Sequence, residues 1–245
     1  MKPEKELKVF DDAEALSAAA AHFIIELANK AVDTSGRFAL VLSGGRTPEK
    51  LFALLTSKAF SDRMPWKNTF VFWGDERCVP FEDKRNNAHI AKKMLLDKVE
   101  IPNANIFPVQ VNLPAEEAAK AYEQTIYSFF KQAPPVFDLV LLGVGEDGHT
   151  ASLFPGTSVL HEKGRIVTDV YVSAQNMSRI TMTAPLINSA ANVLFLITGQ
   201  EKATILNAVT NSEFEPNKYP AQLVDPVQGN LYWFADKAAA SLLPE

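Results

Sequence analysis

The chain has 245 residues, 47% of them apolar and 22% charged, the composition of a globular protein that can bury a core without disulfide or metal staples. Its net charge of −5 argues against a general nucleic-acid binder while leaving room for a local basic pocket. The lone Cys78 cannot form an internal disulfide, residues 1–10 are too charged for a signal peptide, and no apolar run reaches membrane-spanning length, so a cytoplasmic protein with no membrane partner is expected.

Asp11 or Asp12 is expected to cap a first helix running to about residue 29, with Leu16, Ala20, Phe23, Leu27 and Ala31 on one face. His22 in that helix has no polar cluster near it and reads as a packing residue. Phe38–Leu42 (FALVL) is the first central strand, followed by Ser43-Gly44-Gly45-Arg46-Thr47-Pro48. Thr47 fits an N-cap and Pro48 the first helical position. Strand, glycine loop and helix N-terminus together present backbone N–H groups suited to a phosphate, and Arg46 adds a cation. The bland alternative is a tight turn without a ligand.

Thr69–Trp73 (TFVFW) is a second strand and runs into Gly74-Asp75-Glu76-Arg77. Those charges are either solvated loop pairs, which stabilise little, or a polar cluster at the sheet's carboxyl edge. Apolar Trp73 and Val79 on either side favour the cluster. A helix is expected over 83–96, with His89, Lys92 and Lys93 on its wet face. Residues 106–109 read as a short strand, and 114–131 as an amphipathic helix broken by Pro134-Pro135.

The next stretch concentrates chemistry. Phe137 and Leu139–Leu142 read as a buried parallel strand, and Gly143, Gly145 and Gly148 follow within six residues, flanked by Asp147 and His149. Ligands in open α/β sheets bind beyond the carboxyl ends of strands. An acid and an imidazole two residues apart at such a place are candidates for proton transfer. Residues 143–148 also match G-x-G-x-x-G, with Asp169 downstream, but a dinucleotide site needs a long helix there, and Pro155-Gly156 stops any helix after about two turns.

Beyond this stretch, His161 falls in an exposed turn. Residues 165–172 and 179–183 read as strands, separated by a loop with Gln175 and Asn176. Asn192–Ile197 is another buried strand, followed by Thr198-Gly199-Gln200 and a helix from Glu201; 231–235 is a final strand before an Ala-rich tail. Strands alternating with helices predict a single α/β domain over 1–245, Rossmann-like, with a mainly parallel sheet and helices on both faces. The four histidines are scattered and no Cys pair exists, so no metal site is expected. No G-x-S-x-G elbow is present. A hydrolase acting on a small phosphorylated substrate fits these parts, but the residues alone do not choose hydrolysis over sugar isomerisation.

LSGGRTP, FWGDERCVP and GVGEDGHTASLFPG, in this order and spacing, resemble the 6-phosphogluconolactonase family, and RITMTAPLIN, LFLITGQEKA and PAQLV extend the resemblance over essentially the whole chain. The resemblance implies the fold of the glucosamine-6-phosphate deaminases and hydrolysis of 6-phospho-D-glucono-1,5-lactone in the oxidative pentose phosphate pathway. It implies neither metal nor other cofactor, and a small phosphorylated sugar lactone as partner. His149 would be the general base, Asp147 and Asp75 would orient the imidazole or the water, and N–H groups near Gly44 or Gly145 could face the oxyanion. Ser43, Gly44, Gly45, Arg46, Thr47, Arg77 and Arg179 would hold phosphate and sugar oxygens.

Two departures stand out against many relatives. Gln175 occupies the place of a lysine, and Asp83 to Asn87 reads DKRNN where Asp-x-x-Ser-Asn is common. The rival readings are a glucosamine-6-phosphate deaminase, whose F-N-E-P is here Leu153-Phe154-Pro155-Gly156, and a non-catalytic sugar-phosphate sensor, which would not need both Asp147 and His149.

Overall fold

The computed structural model describes residues 4–244, apart from the side chain of Arg46, so the expected cation there lies outside the described residues. In chain order the strands are β1 (Lys5–Phe10), β2 (Phe38–Leu42), β3 (Thr69–Trp73), β4 (Asp75–Arg77), β5 (Leu139–Leu142), β6 (Val167–Val172), β7 (Met177–Met182), β8 (Asn192–Ile197) and β9 (Asn230–Asp236). The helices are α1 (Ala13–Ser35), α2 (Arg46–Thr56), α3 (Lys58–Ser61), α4 (Asn87–Met94), α5 (Ala115–Phe129), α6 (Ala184–Asn188) and α7 (Ala203–Asn211).

Six strands form one parallel sheet in the order β1-β9-β8-β5-β2-β3. Every residue of β2 and β5 is buried because both faces of the sheet are covered, which is why these strands read as unbroken apolar runs. Successive side chains alternate between two cores. Val41, Val140, Phe195 and Trp233 pack with α5 and α7, whereas Leu40, Leu141, Leu194 and Phe234 pack with α1, α2 and α4. At the sheet's β3 edge, the buried Tyr122 hydroxyl accepts from the Trp73 N–H at 2.7 Å and donates to the Trp73 carbonyl at 3.1 Å. One side chain thus satisfies backbone groups that a further strand would otherwise have paired.

A second sheet was not expected. β4, β7 and β6 form an antiparallel trio, with Asp75 opposite Thr181 and Arg77 opposite Arg179. Gly74 is the joint: its N–H bonds to Leu42 O of the parallel sheet (3.0 Å), and its carbonyl accepts from Met182 N of the small sheet (2.8 Å). The charged run 75–77, read as a polar cluster after a strand, is itself a strand.

Other expectations are corrected in detail. Helix α1 continues to Ser35, where Gly36 at φ +77 ends it by bonding back to Val32 O. Its buried face centres on Leu16, Ala20, Ile24 and Ala28; Phe23, Leu27 and Ala31 are only half-buried. His22 is exposed, 3.2 Å from Arg63 and beside the Phe60 ring, so it packs at the surface rather than inside. Helix α2 begins at Arg46, with Gly45 rather than Thr47 at the cap position. Helix α4 begins at Asn87, not near Asp83, because the Asn86 side-chain oxygen caps His89 N. Residues 106–109 form no strand; Ile106 makes a single bridge to Val71. Residues 5–10 form β1, an edge strand hidden in sequence by its charges. No helix follows the G-x-G-x-x-G match, only turns up to a short 3₁₀ segment at Ser158–His161, which removes the basis of a dinucleotide site. Among the described residues, no helix is long and apolar enough to cross a membrane.

Candidate active site

A cleft of about 550 Å³ opens at the carboxyl ends of β2, β5, β8 and β9, and β4 and β7 supply one of its walls. Ser43, Gly44, Gly45, Thr47, Asp75, Arg77, Gly145, His149, Gln175 and Arg179 all line it. Asp147 stands just behind, bonded to His149.

The loop after β2 is held from below and from the side. Gly44 packs so closely on the buried Asn87 that a β-carbon would fall 2.0 Å from its Oδ1, and a larger residue would have to push that side chain off its bond to Asp75 O. Thr47 Oγ1 lies 3.0 Å from Thr198 Oγ1, which ties this loop to the one after β8. The second loop is fixed in turn by the buried Asp236, whose carboxylate oxygens each accept from Gly199 N at 3.1 Å. Lys50 and Lys202 also line the cleft. Lys50 is paired with Glu14, whereas Lys202 has no ion-pair partner among the described residues.

The loop after β5 places the acid and the imidazole. Gly145 N bonds to His149 O (2.8 Å) and Thr150 Oγ1 to Gly143 O (2.9 Å), closing the loop on itself. Within it, His149 Nδ1 lies 2.5 Å from Asp147 Oδ1, and the same oxygen accepts from His149 N at 3.1 Å. Gly145 makes room for the ring, since a β-carbon there would sit 2.0 Å from Nδ1. Burial by itself would raise the Asp147 carboxyl, but the hydrogen bond and charge of His149 outweigh it, and the net shift is downward. Asp147 therefore stays a carboxylate at neutral pH and holds the Nδ1 proton, leaving Nε2 as the nitrogen that can accept one.

The small sheet supplies the buried charges. Asp75 Oδ2 accepts from Ser152 Oγ at 2.6 Å and from Arg179 Nη1 at 3.3 Å, with Asp75 and Arg179 both more than nine-tenths buried. Arg179 Nη2 donates to Gln175 Oε1, and Arg77 Nη1 to Arg85 O at 2.6 Å. Burial lowers the Arg179 pKa, while the Asp75 charge works to raise it. The Nε of each arginine is buried and unpartnered among the described residues. Glu76, on the opposite side of β4, accepts from Arg77, Asn87 and Ala88 N–H groups at 2.8 Å each, so it fastens α4 to the strand.

Asp75, expected to orient the imidazole or the water, makes no direct bond to His149 among the described residues; its partners are Ser152, Arg179 and Asn87. Ser152, Asp236, Thr198 and Lys202 were missed from sequence. The pair Thr198 and Lys202 had the clearest signal, because Asn192–Ile197 is followed by a glycine turn and a helix just as Phe38–Leu42 is. Among the described residues, no three His, Cys, Asp or Glu side chains converge as a metal site.

The family model described as glucosamine-6-phosphate isomerases/6-phosphogluconolactonase matches residues 11–233. A 6-phosphogluconolactonase of a Nostoc species is 39% identical, the match covering 98% of this chain and 99% of that one. One from a Synechocystis species is 40% identical over 87% of this chain and 88% of the other. Among solved structures, 6-phosphogluconolactonase from Trypanosoma cruzi superposes with a TM-score of 0.87 at 29% identity, covering 100% of this chain and 99% of the other.

Proposed function

Because the chain belongs to the glucosamine-6-phosphate isomerase/6-phosphogluconolactonase family, we propose that it hydrolyses 6-phospho-D-glucono-1,5-lactone to 6-phospho-D-gluconate, with His149 as the base that activates water. That reaction belongs to the oxidative pentose phosphate pathway. His149 Nε2 takes a proton from a water molecule as its oxygen adds to the lactone carbonyl carbon. The tetrahedral intermediate collapses by breaking the bond from that carbon to the ring oxygen, and the imidazolium returns its proton to the departing oxygen as it becomes the 5-hydroxyl. Asp147 holds the ring's other nitrogen throughout and stabilises the charged imidazolium. Backbone N–H groups of the glycine loop at 43–45 are the donors available for the oxyanion, since the Gly145 N–H is already bonded to His149 O.

The observation that carries this reading is the pairing of two things in one cleft. A carboxylate-held imidazole stands on the β5 loop, and Arg77 and Arg179 lie directly opposite each other on β4 and β7. Like charges at such a cross-strand position destabilise a sheet, and because both arginines line the cleft, an anion bound between them would offset that repulsion. A phosphate supplies that anion, with Lys202 and the 43–47 loop on the opposite bank.

The test is lactone hydrolysis corrected for spontaneous ring opening, on wild type and His149→Asn. Loss of the base is expected to lower kcat by about 10²–10⁴-fold, in a variant that still folds because the residue sits on a loop. Near-normal turnover would refute the role of His149. Ammonia release from glucosamine 6-phosphate would move the protein to the isomerase branch instead.

A further inference from the structure

A hydrogen bond at Nδ1 fixes one point of the His149 ring but not its plane, since the imidazole could turn about that bond and swing Nε2 away from the water. We infer that Phe154 is a positioning residue that sets this plane and ties the imidazole to Arg179; the inference rests on the reading of His149 as the base.

The chain doubles back immediately after His149. Ala151 adopts left-handed backbone at φ +48, and Leu153 N bonds to Thr150 O at 2.9 Å. A β-carbon resists that conformation, so the surrounding structure must hold it, and such residues cluster where geometry serves function. The turn returns Phe154 to His149, with ring centroids 4.1 Å apart and planes 23° from parallel. Phe154 is 5% exposed, and its carbonyl accepts from the Thr157 hydroxyl at 2.7 Å, so the stacking ring is itself anchored. The imidazole is then held by Asp147 at one nitrogen, by Phe154 on one face, and by the space that Gly145 leaves.

The same phenyl ring has a second neighbour. Arg179 Cζ lies 5.2 Å from its centroid, within the range in which a guanidinium is attracted to an aromatic ring. Arg179 is also held by Asp75, Ser152 and Gln175, whereas His149 depends on Phe154 for the orientation of its plane. Removing the ring therefore disturbs the imidazole more than the guanidinium, and acts more on kcat than on KM. Side-chain volume is not the property needed. A flat ring is.

Phe154→Leu and Phe154→Met keep an apolar side chain without a plane, and Phe154→Tyr keeps the plane. Misplacement of a reacting group by about an ångström can cost on the order of 10²-fold. The aliphatic variants should accordingly lose about 10–100-fold in kcat on 6-phosphogluconolactone, with a smaller change in KM, while Phe154→Tyr retains most of the wild-type kcat. Leu and Met variants turning over within about threefold of wild type, beside an inactive His149→Asn, would overturn the inference and leave the base assignment standing. An active His149→Asn would instead remove the base assignment, and this inference with it. Should the aliphatic variants fail to fold, the wild-type proton spectrum decides. The His149 ring C–H resonances, assigned by their disappearance in His149→Asn, should lie upfield of those of exposed His161 because they sit over the Phe154 ring. Resonances at the exposed position would overturn the stacking.

Discussion

The parallel sheet and the three-stranded sheet are built on opposite principles, although they share a joint at Gly74. In the parallel sheet the central strands are apolar on both faces, and Phe195 stacks on Trp233 at 3.9 Å with planes 5° apart. Burial of apolar area holds it together. In the small sheet the buried residues include Asp75, Glu76, Arg179 and Thr181. A buried ion pair such as Asp75–Arg179 gains in attraction about what it loses in desolvation. The small sheet's charges therefore contribute geometry more than stability, and the large sheet supplies the stability that lets them stay buried.

The largest effect that would test this division is on the large sheet. Phe195→Ala removes a fully buried ring that lines no part of the cleft, so unfolding free energy should fall by about 3–5 kcal/mol. Turnover per folded molecule should change little. Urea unfolding and kcat measured on the same preparation separate the two. A kcat loss exceeding the stability loss would mean that the large sheet also tunes the site.

The same division decides what was legible in the sequence. Phe38–Leu42, Thr69–Trp73, Leu139–Leu142 and Asn192–Ile197 coincide with β2, β3, β5 and β8, because strands buried on both faces must be apolar throughout. Asp147 and His149 were legible too, since their bond is local to one loop. Of the small sheet, β6 and β7 were legible as the strands read at 165–172 and 179–183, but β4 and the sheet itself were not. Its first strand, Asp75–Arg77, carries three charges in a row, a pattern that no search for apolar alternation can find, and only its partners make those charges tolerable. The partners lie far off in sequence: Ser152 is 77 residues from Asp75, and Arg179 is 104. Strand β1 escaped for the reverse reason, being an edge strand whose charges face water.

A pH series compared between wild type and Glu76→Gln probes the small sheet. Burial pushes the Glu76 carboxyl up to about 7 from 4.5, against three backbone N–H bonds that pull it down, and the Asp75 charge adds to the rise. With the folded-state pKa above the unfolded one, the folded protein holds a proton that the unfolded chain has released between pH 4.5 and about 7. Stability should therefore fall as pH rises through that window, at most by about 1.4 kcal/mol per unit, or on the order of 3 kcal/mol in all. Glu76→Gln cannot ionise and should lack this component of the slope. Unfolding free energies of both proteins at pH 5 and pH 8 give the test. A wild-type minus variant difference that does not shrink on going to pH 8 would mean that the N–H bonds win and the carboxylate is charged throughout.

The smallest effect is the most informative about the cleft. Arg179 has two tasks that its contacts make separable: it covers the buried Asp75 charge, and it presents a guanidinium to the cleft. Removing it leaves Asp75 unpaired, which harms every substrate alike. It also removes a charge-assisted contact that only a phosphorylated lactone can use. Arg179→Ala should therefore lose about 10–100-fold in kcat/KM on 6-phosphogluconolactone, equivalent to about 1.5–3 kcal/mol, and much less on unphosphorylated gluconolactone. Gln175 sharpens the point. Its Oε1 accepts from Arg179 Nη2, so it steers the guanidinium, and Gln175→Ala should cost only about the value of one hydrogen bond to a charged group, and only on the phosphorylated substrate. Gln175→Lys takes that acceptor away but brings a second cation to the same lip, so in the Arg179→Ala background it should restore part of the loss. The measurement is kcat/KM on both lactones for wild type, the single variants and the double variant. Equal losses on the two lactones in Arg179→Ala would show that Arg179 serves Asp75 alone, and the phosphate would then belong with Lys202 and the 43–47 loop.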